Sequence, residues 1–322
     1  MIIVLAAGGW VAYQLYVPVA PPPDTSLLLR PGYSTRRIAI ELKKAGVIRN
    51  ELAFRIFHVL HPKLRLKAGE YRFDRGARMP QVYRRIARGD IYFHIVTVPE
   101  GYTMFDIAKA MEDAGLGPAA EFLKIFQTQT QLISDLAPHA KSLEGYLFPN
   151  TYEFTRTQSR LEMATAMVRQ FHQVAQQIGL AATPDSDVNK VVTMASIVEK
   201  ETAVPDERPL VAGVYYNRLA HNVALDADPS IIYAKLLDGT YQGALHHADL
   251  AVNSPYNTYR FLGLPPGPIA NPGKTALAAA FHPESTEYLY FVADGSGHHR
   301  FARNLEEHNR NVVAYRHALG LR

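Results

Sequence analysis

The chain of 322 residues has no cysteine and only one tryptophan. Without cysteine there is no disulfide scaffold, no thiolate metal ligand and no thiol nucleophile. Neither common glycine-rich phosphate loop is present. No serine sits in a Gly-x-Ser-x-Gly setting, which leaves Ser196 and Ser254 as poor nucleophiles. The net charge is +4 and the pI about 9.1, spread along the chain. No basic run is interleaved with aromatics, so nucleic acid is not an expected partner. A loose attraction to an anionic polymer or membrane surface remains open. The adjacent pairs His246-His247 and His298-His299 lack the i, i+4 spacing of a helical zinc site, so no metal and no cofactor is expected. The first 23 residues carry no charged side chain.

Hydrophobic residues make up 48% of the chain, enough for a sizeable core, and the length suits two or three modules. Ile2 to Val17 is largely apolar, with Trp10, Tyr13 and Tyr16 along it. About 20 apolar residues are needed to span a bilayer, so this stretch is marginal. It lacks the basic start of a signal peptide. It reads as a single transmembrane anchor truncated at its cytoplasmic start, with a buried N-terminal helix as the alternative. The prolines from Val17 to Asp24 read as a stiff, extended spacer.

A weak repeat recurs at an offset of 69 residues. Pro31-Gly32-Tyr33-Ser34 matches Glu100-Gly101-Tyr102-Thr103, Ala45-Gly46 matches Ala114-Gly115, and Ile56-Phe57 matches Ile125-Phe126. Each copy predicts a Gly-Tyr turn, a Ser or Thr N-cap, an amphipathic helix closed by Ala-Gly, and a second helix. A short aromatic strand ends each copy, Gly69 to Phe73 and Asn150 to Phe154. Such strands around helix pairs predict small α+β modules. A long amphipathic helix is expected over Arg156 to Gln177, a polar break over Ala181 to Asp187, a strand over Glu287 to Ala293, and a final helix from about Leu305.

The segment Val191 to Thr202 reads as an apolar helix ending in two carboxylates. Glu201 falls on the stripe of Met194, Ile197 and Val198, at i−7, i−4 and i−3. A carboxylate there is partly desolvated, which raises its pKa and suits it to donate a proton near neutral pH. Glu199 points over Ala195 and Ser196. The plain alternative is a core helix whose last turn reaches solvent. Further patches are Asn217-Arg218; Asp226 to Tyr233, with Asp228 as a helix cap and Pro229 in the first turn; Ser254 to Tyr259 and Gly263 to Ile269, loops stiffened by Pro and Gly; and His298 to Phe301 with His308-Asn309.

Thr193 to Thr202, Asp228-Pro229-Ser230-Ile231-Ile232-Tyr233, Ser254-Pro255-Tyr256-Asn257-Thr258-Tyr259, Gly263 to Ile269 and Tyr288 to Gly297 resemble, in order and spacing, the YceG-like (MltG) endolytic murein transglycosylases. Leu66 to Phe73 and Glu144 to Pro149 resemble the same family's N-terminal half. The resemblance implies an α+β chain: an anchor at 1–17, a Pro-rich spacer at 18–27, a LysM-like module at 28–95, a second α+β module with its connecting helix at 96–184, and a mixed α/β catalytic domain at 185–322. It implies a single-pass inner-membrane protein with its catalytic part in the periplasm. Its partners would be peptidoglycan glycan strands and peptidoglycan synthases. Where the family pattern has Gln and Thr before the Asp-Pro pair, this chain has Asp226 and Ala227. That substitution puts a substrate contact at Asp226 in doubt and adds a carboxylate able to raise the pKa of Glu201.

The family's catalytic acid corresponds to Glu201. As a lytic transglycosylase the chain would cleave the β-1,4 bond between N-acetylmuramic acid and N-acetylglucosamine and leave a 1,6-anhydro end, terminating or trimming strands. The expected substrate-binding residues are Glu199, Asn217, Asp226, Asp228, Ser230, Tyr233, Tyr256, Asn257 and Thr258. Two other readings stay open. One is a non-catalytic peptidoglycan-binding protein. The other is a hydrolytic glycosidase with Glu199, Asp226 or Asp228 as its second carboxylate.

Overall fold

The computed structural model describes residues 2–182 and 187–320. The expected domain boundary at 184/185 lies outside the described residues. The chain divides into two compact units, Met1–Ile95 with Glu153–Ser159, and Val96–Tyr152 with Arg160–Arg322.

The first unit begins with α1 (Ile2–Tyr16), followed by β1 (Thr25–Leu29), α2 (Thr35–Lys44), α3 (Glu51–Leu60), β2 (Gly69–Phe73) and α4 (Met79–Arg88). Ser34 caps α2 by accepting from Arg37 N, and Asn50 caps α3 through Leu52 N and Ala53 N. Strands β1 and β2 pair antiparallel, with Leu27 opposite Tyr71. Leu29, Ile38, Leu42, Phe54, Tyr71, Tyr83 and Ile86 form the core. Glu70 is buried beneath His94 and Arg156, at 2.8 and 3.3 Å.

Among the described residues no helix is long and apolar enough to cross a membrane. Helix α1 has 15 residues, about 22 Å at 1.5 Å per residue, against about 30 Å of hydrocarbon. The spanning anchor expected at 1–17 is therefore not seen. Within its unit α1 packs on α3 and α4, and Leu15 reaches the core. Arg49 lies over the Tyr13 ring and donates to the carbonyls of Val17 and Pro18 at 2.6 and 2.9 Å. Nor does 18–27 stand free as a spacer. Val19, with its N–H available beyond Pro18, bridges Ala77, and β1 begins at Thr25.

Strand β3 (His94–Val98) opens the second βααβ copy, with α5 (Met104–Asp113), α6 (Ala119–Thr128) and β4 (Asn150–Phe154). β3 and β4 form a two-stranded sheet, and the unit boundary falls within each of them. Strand β3 and helix α5 stand 69 residues after β1 and α2, so the repeat seen as scattered matches is a repeat of structure. Thr103 caps α5, and Gly46 and Gly115 take positive φ where the first helix of each copy ends. The second copy does not stand apart: residues 96–152 belong to the same unit as everything after Arg160.

That unit continues with α7 (Arg160–Gln177), α8 (Val188–Glu201), α9 (Arg208–Ala220), α10 (Asp228–Leu237), α11 (Lys274–Phe281), the hairpin β5 (Tyr290–Ala293) and β6 (His299–Ala302), and α12 (Leu305–Ala318). Helix α7 starts four residues later than expected and β5 three later. Helix α8 is the centre: Val192 to Val198 are all buried, and α11, α9 and α10 pack around it. Its apolar run thus ends at Glu201 inside the protein.

Candidate active site

A cavity of about 290 Å³ lies at the C-terminal end of α8. Glu201 stands in its wall with Tyr215 and Arg218 of α9, Leu225 and Asp226 beyond that helix, and Asp228, the first residue of α10. Tyr259, Leu289, Tyr290, Phe291 and His308 complete the lining. The residue Glu201 is partly accessible, but its carboxyl is enclosed. Burial pushes its pKa up to about 7. A hydrogen bond from Tyr215 opposes the rise, the Asp228 carboxylate adds to it, and Arg218 draws it back. The same α8 stripe buries Met194, Ile197 and Val198 completely, so the desolvation follows from helical spacing.

Arg218 organises the opposite wall. It donates to Leu289 O at 2.8 Å and Leu225 O at 2.7 Å, meets Asp226 at 3.3 Å, and lies over the Tyr290 ring. Asp226 has φ of +50°, an uncommon backbone state that Asp tolerates better than most residues. Burial raises its pKa, against the pull of Arg218. The carboxylate that raises Glu201 is Asp228, while Asp226 faces Arg218. Asp228 does not cap α10. Ala227 holds the N-cap position, and Asp228 accepts from Tyr259 Oη at 2.7 Å. His308 is stacked on Tyr290, and burial lowers its pKa.

Of the expected site residues, the structure gathers Glu201, Asp226 and Asp228 around one cavity and places the others outside its lining. Glu199 is buried on another face of α8. It pairs with Arg208 at 2.7 Å and accepts from Gly273 N at 2.9 Å, with Glu100 also on Arg208. Asn217 donates to Thr286 O and Tyr288 O at 2.6 and 3.0 Å, holding the approach to β5. Ser230 and Thr258 are joined hydroxyl to hydroxyl at 2.9 Å, and Thr258 Oγ1 accepts from Ala227 N. Asn257 is fully buried and donates to Leu250 O and Val252 O. Tyr233 packs against Tyr256 with the rings tilted by 55° and hydrogen-bonds Glu144. These seven residues lie outside the cavity's lining. The sequence reading missed Tyr215, Arg218 and Tyr259 as site residues. Arg218 and Tyr259 stood inside quoted motifs, and Tyr215 lies one helical step, i−3, before Arg218.

A second buried acid lies in this unit. Glu144 accepts from Met104 N at 2.9 Å and Asn271 Nδ2 at 2.7 Å, and burial raises its pKa to about 8. Asn271 Oδ1 accepts in turn from Gly145 N and Leu147 N. The first unit contains a larger cleft of about 440 Å³, lined by Arg75, Arg85 and Arg88, whose only acid, Asp74, pairs with Arg72. Among the described residues no group of three or more His, Asp or Glu is placed to hold a metal ion. His298 and His299 flank Glu207 at 3.1 and 2.7 Å.

The profile of the YceG-like family matches residues 27–314. The chain belongs to the YceG-like family. It is 32% identical over 331 residues to the endolytic murein transglycosylase of Bacillus subtilis (strain 168), covering 97% of this chain and 91% of that protein. It is 31% identical to the endolytic murein transglycosylase of Streptococcus pneumoniae serotype 2, again over 97% of this chain but 63% of that longer protein. The crystal structure of the YceG-like protein lmo1499 from Listeria monocytogenes is similar with a TM-score of 0.61 and 32% identity, over 88% of this chain and 97% of that one. Among YceG-like proteins, then, this chain presents an enclosed carboxyl at the end of a core helix, facing a polar and aromatic cavity.

Proposed function

We propose that this protein is a peptidoglycan lytic transglycosylase that cuts glycan strands internally, with Glu201 as its catalytic acid. The observation that carries the reading is the Glu201 carboxyl, raised to about 7 on the wall of the cavity, within a chain similar along 97% of its length to endolytic murein transglycosylases. Near neutral pH a substantial fraction of this group keeps its proton. Protonated Glu201 gives it to the oxygen between N-acetylmuramic acid and N-acetylglucosamine, and the C1–O bond breaks with the electron pair leaving on that oxygen. The C6 hydroxyl of the muramic sugar then closes on C1 and returns its proton to the Glu201 carboxylate. One residue serves as acid and then as base, and no water is consumed. The Asp228 carboxylate, steadied by Tyr259, offers negative charge to the oxocarbenium-like state, and Phe291 adds an apolar wall beside the sugar.

Asp226 and Asp228 share the cavity with Glu201, which keeps a two-carboxylate hydrolase as the second reading. Mass spectrometry of products from purified glycan strands separates the two. An anhydro end is one water lighter than a reducing end. Products with only reducing ends would refute the transglycosylase reading.

The first βααβ copy is proposed as a LysM-like glycan-binding module, supported by its antiparallel β1–β2 pair around two helices. An envelope location is supported by the similarity to endolytic murein transglycosylases. Attachment at the inner membrane through the N-terminal residues, with the second unit in the periplasm near synthases, is supported by the uncharged stretch through Pro23. Flotation of the full chain with vesicles tests it.

A further inference from the structure

Helix α3 is apolar well beyond its core-facing stripe, and Glu51, Arg55 and His58 take only its remaining face. Ala53, Phe54 and Phe57 face the core. On the opposite side Leu52, Ile56, Val59 and Leu60, at i, i+4, i+7 and i+8, are 50%, 40%, 74% and 70% exposed. A contiguous stripe of large apolar side chains in water marks an interaction surface. Its surroundings indicate what covers it. Between residues 49 and 67 stand five cations, Arg49, Arg55, Lys63, Arg65 and Lys67, and one carboxylate, Glu51. Helix α1 packs on α3 within this unit, and its Trp10, Tyr13 and Tyr16 are also exposed. Interfaces between proteins deplete lysine and charge at their centres. An apolar stripe flanked by Arg and Lys, next to exposed Trp and Tyr, instead matches a helix lying in the headgroup region of an anionic bilayer.

We propose that the outer face of α3 docks the first unit on an anionic lipid surface. Leu52, Ile56, Val59 and Leu60 enter the headgroup boundary, and the exposed Arg55, Lys63 and Arg65 side chains meet lipid phosphates. This contact does not require α1 to cross the bilayer, and it is independent of the chemistry at Glu201.

The absence of cysteine allows a site-specific test on the full chain. A polarity-sensitive dye is attached at Val59→Cys and, as control, at exposed Lys124→Cys in the second unit. Each is titrated with vesicles of equal parts phosphatidylglycerol and phosphatidylcholine. The Val59→Cys label shifts to the blue and brightens, while the Lys124→Cys label does not. Val59→Glu/Leu60→Glu, at exposed positions that spare the core, weakens partitioning by about tenfold or more. A dark, unshifted Val59→Cys label on protein that floats with the vesicles would overturn the proposal, leaving α1 as the sole attachment. A shift that grows with protein concentration in the absence of lipid would also overturn it, assigning the face to a second copy. Unchanged partitioning of the double variant would do the same.

Discussion

Glu201 and Glu144 share one property and differ in every other. Burial raises both carboxyls, to about 7 and about 8. Glu144 is fully buried and enclosed by Met104 N, Asn271 and Tyr233. Glu201 has a cavity on one side and Tyr215 as its hydrogen-bond donor. A raised pKa alone does not make a proton donor. It must coincide with access, and the same desolvation otherwise yields a structural knot. Glu199 makes a third case, where Arg208 and Gly273 surround a carboxylate two residues from Glu201.

The widest separation between these acids is expected in activity. Glu201→Gln is near-isosteric but carries no acidic proton, so strand cleavage should fall by about a hundredfold to ten-thousandfold while thermal unfolding stays close to wild type. Glu144→Gln should cut strands at close to the wild-type rate wherever it is folded. If Glu144→Gln, and not Glu201→Gln, were the inactive variant at full foldedness, the assignment would be reversed.

Stability should separate Glu199 from Glu201. Glu199→Gln leaves the Arg208 guanidinium buried with the Thr275 hydroxyl and with Glu100, a half-exposed carboxylate, so it should cost about 3 kcal/mol. Denaturant titration measures this. A loss well below 1 kcal/mol would put the pair on the scale of exposed ion pairs despite its burial.

The pH dependence of folding distinguishes Glu144 next. Its folded pKa of about 8 lies above the ordinary 4.5, so the folded state holds a proton that the unfolded chain releases. Its contribution is full below about 4.5 and is lost as pH rises toward 8. Glu144→Gln should flatten the decline of Tm across that window, and a slope equal to wild type would show that Glu144 is ionised throughout.

The smallest effect belongs to Asp228. Cleavage should fall as pH rises through about 7, where Glu201 loses its proton. Asp228 is one of the charges that raises this value, so Asp228→Asn should move the alkaline limb to lower pH. A limb moving upward, or not at all, in the rate–pH profile would remove Asp228 from the electrostatics of Glu201.

Local regularities were legible in the residues. Ser34 and Thr103 as N-caps, the Ala-Gly helix ends and the Glu201 stripe each depend on neighbours within about two helical turns. Helix α7 starts at Arg160, directly after Ser159 and with Glu162 in its first turn, a Ser-x-x-Glu capping pattern that the expected start at Arg156 overlooked, and β5 starts at Tyr290, where its pairing with β6 begins. Asp228 read as a cap from its Pro229 neighbour, yet its carboxylate turned to Tyr259, a partner 31 positions away.

Sequence by itself determined that Glu201 ends an apolar helix on its buried stripe, because 3.6-residue periodicity fixes which side chains share a face. It also set the βααβ repeat, through short-range caps and turns. Only the tertiary structure decided that Asp226 and Asp228 join Glu201 while Glu199, Asn217, Ser230, Tyr233, Tyr256, Asn257 and Thr258 do not line the cavity. That choice depends on how α9, α10, β5 and the 254–259 loop pack around α8. Polar side chains of identical chemistry are assigned there to a wall or to the scaffold behind it by partners far away in the chain.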